Sequence, residues 1–204
     1  SCIVKKIITF RFINKTYRDG GRLALFQRFM HADQHASRQF RLHQDGSAIW
    51  KAAVFFAHSG DSWFWMAGLV LIWLLTRGTW HQNAVLMGIG VGGLAVLVLV
   101  IKFIIRRERP QGEWGAIYRN TDPHSFPSGH AARAAMLAVM AWGLGPAWFG
   151  WTVVLWVPLV SLARVATGVH YLSDILAGLA LGVVAGLGML AAAPLLMRWF
   201  PFLF

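Results

Sequence analysis

Three observations predict an all-α fold, a polytopic membrane helix bundle with about five transmembrane helices and an N-terminal interfacial helix. Of the 204 residues 57% are hydrophobic and 13% charged, where a soluble domain carries about 25% charged residues. Five apolar segments can cross roughly 30 Å of hydrocarbon as helices, some with their interfacial ends included. Trp63, Trp65, Trp73, Trp80, Trp148, Trp151 and Trp199 fall near the ends of those segments, the headgroup level at which amphipathic rings sit.

Taken in order, residues 1–50 read as a basic N-terminal interfacial segment and residues 51–204 as one membrane-embedded domain. In the first, Lys and Arg alternate with Ile, Phe and Leu, and no stretch is long enough to span. Between Gly21 and Phe40, Leu23, Phe26, Met30 and Phe40 recur at loosely helical spacing, which fits a helix lying in the interface. The first twenty residues read equally well as a solvated basic tail. No cleavable signal peptide is expected, because the basic start is not followed by a compact apolar core and a small-residue cleavage site.

The five spans are expected at residues 57–75, 84–105, 131–145, 148–163 and 175–197, with a tight hairpin at Gly145-Pro146 between the third and fourth. Gly88, Gly90, Gly92 and Gly93 in the second span and Gly178, Gly182, Gly186 and Gly188 in the fifth let backbones approach closely in lipid, placing both helices inside a compact bundle.

A formal charge of +11 raises nucleic acid as a partner, but the basic residues do not form one solvated stripe with interleaved aromatics. They sit at the ends of apolar runs, where they suit anionic lipid headgroups and set orientation in the bilayer. The single cysteine, Cys2, excludes an internal disulfide and any thiolate zinc site.

Ionisable side chains at membrane depth are costly and usually functional, and here they gather in three places. The first is KFIIRRERP, from Lys102 to Pro110, at the end of the second span. If helical, Lys102 and Arg109 lie on one face, about two turns and roughly 10 Å apart, able to enclose a phosphate before Pro110 stops the helix. Position alone supports a plain positive flank equally well, and for Arg106 and Arg107 that reading is preferred.

The second is HSFPSGHAAR, from His124 to Arg133, which opens the third span. Pro127, Ser128 and Gly129 form a turn before a helix, so Ser128 and the amides near Gly129 can face an anion. His130, in the first turn behind it, is placed to move a proton. The third is ARVATGVHYLSD, from Ala163 to Asp174, between the fourth and fifth spans. His170 and Asp174 are four apart, so the carboxylate can fix the imidazole tautomer, the orienting half of a nucleophile arrangement. Arg164 offers a planar fork of donors to phosphate. Spans two and four end on the same side, so all three motifs converge on one membrane face. No metal is expected there, since Glu108, Glu113 and Asp122 are the only nearby carboxylates besides Asp174, and hard cations want several oxygen ligands together.

These residues resemble the signature of the type 2 phosphatidic acid phosphatases, which include bacterial lipid phosphate phosphatases and relatives of the vanadium haloperoxidases. Lys102 with Arg109-Pro110, then Pro127-Ser128-Gly129-His130, then Arg164 with His170 and Asp174 keep the family's order and spacing. Ala163 stands where a serine is usual, and the usual first span of six-span members is replaced by the basic segment. The resemblance implies a membrane lipid phosphatase without a cofactor. In it His170 attacks phosphorus to give a phosphohistidine, Asp174 orients it, and His130 protonates the leaving oxygen and then activates water. Lys102, Arg109, Ser128, Gly129 and Arg164 hold the phosphate. The substrate class is a membrane lipid phosphate or diphosphate, with phosphotransfer to an alcohol, or lipid binding without catalysis, as the competing functions.

Headgroup-reading candidates in the loop after Arg109 are Trp114, Tyr118 and Arg119. Orientation is drawn two ways. The resemblance implies a periplasmic site, whereas the ten Lys and Arg residues from Lys5 to Lys51, against Arg77 and Arg198 opposite, place it in the cytoplasm.

Overall fold

The structure, a computed structural model, describes residues 24–25, 27–111 and 122–204. Trp114, Tyr118 and Arg119, and the first twenty residues, lie outside the described residues. The chain divides into Ser1–Ala36 and Ser37–Phe204. In the first unit, residues 27–36 are helical, with Phe29 exposed.

The second unit is all-helical, with no β-strand among its described residues beyond one isolated bridge. It opens with α1 (Ala48–Ser59), capped by Ser47, whose Oγ accepts from the Trp50 amide. Next comes α2 (Ser62–Leu75). The span expected at residues 57–75 is therefore two helices, broken at Gly60-Asp61. Glycine costs about 1 kcal/mol inside a helix, and Asp favours the position just before one, so the sequence places a stop and a start side by side. At 14 residues, α2 is about 21 Å long.

After a short turn follow α3 (Thr79–Ile105), α4 (Gly129–Leu144), α5 (Ala147–Ala166) and α6 (Leu172–Trp199), then a 3₁₀ turn at Pro201–Leu203. Helices α3, α5 and α6 are long and apolar enough to cross a membrane. By contrast α4 is short and alanine-rich, with Ala131, Ala132, Ala134, Met136, Leu137 and Met140 all buried. It is the centre of the bundle, against α3, α5 and α6.

The seam between α4 and α6 is made by glycine. A Cβ at Gly178 would meet the Ser128 carbonyl, one at Gly182 the Ala132 carbonyl, and one at Gly186 the Val139 side chain. On α3 only Gly90 is in such contact, against Met136 and Met140, while Gly88, Gly92, Gly93 and, on α6, Gly188 face open space. The expectation of close approach thus holds for one face of each helix, because successive glycines point around the axis.

Candidate functional site

The geometry expected for Lys102 and Arg109 does not hold. Helix α3 ends at Ile105, because Arg106 adopts a left-handed conformation (φ 52°), which costs a non-glycine residue about 1–2 kcal/mol. The two cations therefore do not share a helical face. The chain runs on through an isolated antiparallel bridge between Glu108 and His124, and the Ser125 amide donates to the Arg107 carbonyl at 2.8 Å.

Both cations nevertheless converge. Arg109 Nη2 donates to Asp122 Oδ2 at 2.7 Å, and Lys102 Nζ pairs with the same oxygen. Arg109 also reaches the Asp122 carbonyl through Nε at 2.7 Å and the Val169 carbonyl through Nη1 at 2.9 Å. Its Nη1 stands 3.3 Å from His170 Nε2.

That last contact fixes a tautomer. A guanidinium has no acceptor, so His170 Nε2 carries the lone pair and the ring proton sits on Nδ1. Nδ1 faces Asp174 Oδ2 at 3.4 Å. Burial holds the His170 imidazole well below its ordinary range, and the charges of Arg109, Arg164 and Lys102 push it the same way. The ring is neutral near pH 7, the state a nitrogen nucleophile requires.

Helix α6 starts at Leu172, two residues after His170, so the pair is not within one helix. Asp174 reaches back from the first turn, and its Oδ2 accepts from the Tyr171 amide at 2.9 Å. Its Oδ1 accepts from Arg107 Nη1 at 2.7 Å. Arg107 also donates to Ser173 Oγ at 2.6 Å, and its guanidinium lies 4.2 Å over the Tyr171 ring. The reading of Arg107 as a plain flank is corrected, while exposed Arg106 donates to the Phe103 carbonyl and remains a flank. In sequence the two arginines are alike, and what separates them is the reversal at Arg106, which turns Arg107 inward.

Ser128 is the N-cap of α4. Its Oγ accepts from the Ala131 amide, and its own amide donates to the Asp174 carbonyl at 3.0 Å. His130 Nε2 stands 2.7 Å from Asp61 Oδ1, and Asp61 Oδ2 stands 3.2 Å from His58 Nδ1. Burial works against Asp61 ionising, but hydrogen bonds from His130 and His58 outweigh it and hold the carboxyl at about 2. Sequence reasoning missed Asp61 and the buried Arg133, which donates to the Gly60 carbonyl. Arg164, 1% exposed at the end of α5, lies close enough for its charge to bear on Lys102, Arg109, His130 and His170. Ser161 is buried, and its Oγ has no hydrogen-bond partner among the described residues.

A cavity of about 520 Å³ opens beside these groups. Asp61, Lys102, Asp122, Gly129, His130 and Arg133 line its polar end, and Trp63, Leu94, Val98, Leu99 and Phe103 its apolar walls. His170 and Arg109 are outside the lining, Arg109 being bonded to the lining residue Asp122.

A model of the PAP2 superfamily matches residues 83–198. A decaprenylphosphoryl-5-phosphoribose phosphatase of Mycobacterium tuberculosis is 31% identical over 134 residues, covering 64% of this chain and 72% of that protein. An undecaprenyl-diphosphatase of Sulfolobus acidocaldarius is 31% identical over 135 residues, covering 63% of each. Among solved structures, a transmembrane PAP2-type phosphatidylglycerolphosphate phosphatase from Bacillus subtilis matches with a TM-score of 0.67 at 25% identity, over 84% of this chain and 89% of that one.

Proposed function

The chain belongs to the PAP2 superfamily, and from that premise we propose that it hydrolyses a phosphomonoester or diphosphate of a membrane lipid through a phosphohistidine at His170, without a metal. The observation that carries this reading is the setting of His170: Arg109 Nη1 faces Nε2 at 3.3 Å and Asp174 Oδ2 faces Nδ1 at 3.4 Å. That is a neutral imidazole whose Nε2 lone pair lies against the Arg109 guanidinium, a donor that a phosphate oxygen would draw away, with the Asp174 carboxylate beside Nδ1.

In the first step Nε2 attacks phosphorus, the bond from phosphorus to the lipid oxygen breaks, and His130 delivers a proton to that oxygen. In the second, His130 takes a proton from water as its oxygen attacks the phosphohistidine, releasing phosphate and restoring both rings. Lys102, Arg109 and Arg164 stabilise the equatorial oxygens, with Ser128 and Gly129 forming the turn beneath them, and together they provide the fixed charge that phosphoryl transfer needs. The cavity suits a lipid: a phosphate at Lys102 and His130, with the tail along Leu94, Val98 and Phe103.

The test is phosphate release by purified protein in detergent, with and without chelator, across phosphatidate, phosphatidylglycerol phosphate, polyprenyl phosphates and lipid A. His170→Ala is expected to abolish turnover, and a phosphoenzyme trapped from the unsubstituted protein is expected to map to His170. Full activity of His170→Ala, or a strict requirement for added magnesium, would overturn the reading.

A further inference from the structure

We infer that Asp61 is the positioning carboxylate of His130, making Nδ1 the atom through which that imidazole exchanges protons with the leaving oxygen and then with water. The inference rests on the proposed hydrolysis and adds a second carboxylate–imidazole pair to the one formed by His170 and Asp174.

The local structure around Asp61 breaks a rule. It occupies the N-cap of α2, where an Asp side chain normally accepts from the first free amides of its own helix. Here it makes no such bond. Both oxygens turn to imidazoles instead, Oδ1 to His130 and Oδ2 to His58. Departures of this kind concentrate at functional sites.

The protonation pattern follows. An ionised carboxylate only accepts hydrogen bonds, so the short contact at 2.7 Å requires a proton on His130 Nε2. The backbone of Gly60 presses on the same edge of the ring, since a Cβ there would lie 3.0 Å from His130 Cδ2. The edge carrying Nε2 and Cδ2 thus rests on the Gly60-Asp61 turn, and the edge carrying Nδ1 faces away from it.

The turn is itself pinned on three sides. Arg133, one helical turn beyond His130 on α4, donates to the Gly60 carbonyl. Trp65 on α2 donates to the Ser59 carbonyl at 3.0 Å, and Trp156 on α5 to Ser59 Oγ at 2.9 Å. Asp61 and His130 both border the cavity. With Nε2–H held by Asp61, a second proton on Nδ1 makes an imidazolium; burial and the charges of Arg164 and Arg133 push that proton to leave, and the Asp61 carboxylate opposes them. Giving that proton to the leaving oxygen leaves the neutral ring with its Nδ1 lone pair exposed, ready to take one proton from water.

The experiment compares Asp61→Asn with the unsubstituted protein on an alkyl lipid phosphate, a poor leaving group, and on p-nitrophenyl phosphate, a good one. Expected is a fall in kcat of about 10- to 100-fold on the lipid, within the range of general acid–base catalysis, with KM nearly unchanged and little loss on the aryl ester. Asp61→Glu should recover part of the lipid activity. Adding Asp61→Asn to His130→Ala should cost nothing further. Asp61→Ser, which keeps a capping side chain for α2, guards against misfolding and should show the same leaving-group pattern as a monodisperse protein. Equal losses on both substrates, or losses that multiply in the double variant, would overturn the inference. A phosphoenzyme still trapped at His170 in that case would leave the proposed hydrolysis standing, whereas turnover by His170→Ala would remove its foundation.

Discussion

Arg107 and Asp174, 67 residues apart in the chain, are joined by an ion pair of 2.7 Å that occupies the one oxygen of Asp174 not facing His170. Arg107→Ala therefore frees Asp174 to rotate, and a small misplacement at a reacting centre costs up to about 100-fold. The expected outcome is a loss in kcat of about 10- to 100-fold, with KM little changed. Arg107→Lys should recover little, since an ammonium cannot both stack on Tyr171 and bridge to Ser173. Steady-state kinetics on one lipid phosphate checks both.

Asp122 pairs with both Lys102 and Arg109 through one carboxylate oxygen, Oδ2, the place a phosphate oxygen takes if these cations bind the substrate as proposed. Substrate and Asp122 compete for the same two cations. Asp122→Asn removes the competing charge and is expected to bind inorganic phosphate and vanadate several-fold more tightly, read as a lower inhibition constant. Unchanged or weaker inhibition would show that Asp122 does not contest the anion site.

How much of this was legible in the chain differs from part to part. The helical bundle, the hairpin at Gly145-Pro146 and the three clusters around Lys102, His130 and His170 follow from patterns within a few residues, where local chemistry decides. The break at Gly60-Asp61 was hidden by apolar residues on either side of a two-residue interruption. Arg107, Asp122 and Asp61 could not be assigned, because each takes its meaning from a partner 13 or more residues away. A charge beside an apolar run looks the same whether it meets water or a buried carboxylate. Asp61 carried one local signal, an acid directly after a glycine at a helix start, but that signal announces a cap, and the structure uses it otherwise.

The depressed pKa of His170 has a consequence for stability. A ring buried neutral binds its proton more weakly folded than unfolded, so between its ordinary value of 6.5 and its lower folded value the unfolded state holds more protons. Stability contributed above pH 6.5 is lost as pH falls toward the folded value. Thermal unfolding in detergent between pH 7 and pH 5 should show a falling midpoint, with a flatter dependence in His170→Asn. An equal slope in both would place the acid sensitivity elsewhere.

For orientation, the sequence carries ten Lys and Arg residues from Lys5 to Lys51 ahead of α2, whereas Arg77 follows α2 and Arg198 ends α6. With five spans the positive-inside rule gives the expectation of a cytoplasm-facing site, against the periplasmic one that the family resemblance implies. A cysteine replacing Gln111, in a background without Cys2, is expected to react with an impermeant thiol reagent only after cells are permeabilised. Labelling of intact cells would assign the site to the outer side.

The glycine seam between α4 and α6 decides which parts of the bundle can move. With glycines of α6 lying against the Ser128 and Ala132 carbonyls and the Val139 side chain on successive turns, and the Ser128 amide bonded to the Asp174 carbonyl, these two helices cannot separate to admit a molecule without losing the contacts that join them. His130 and Asp174 ride on that one block. The cavity is lined instead by Trp63 of α2 and Leu94, Val98 and Phe103 of α3, so filling it leaves the seam intact. The seam keeps His130 and Asp174 in register whatever fills the cavity.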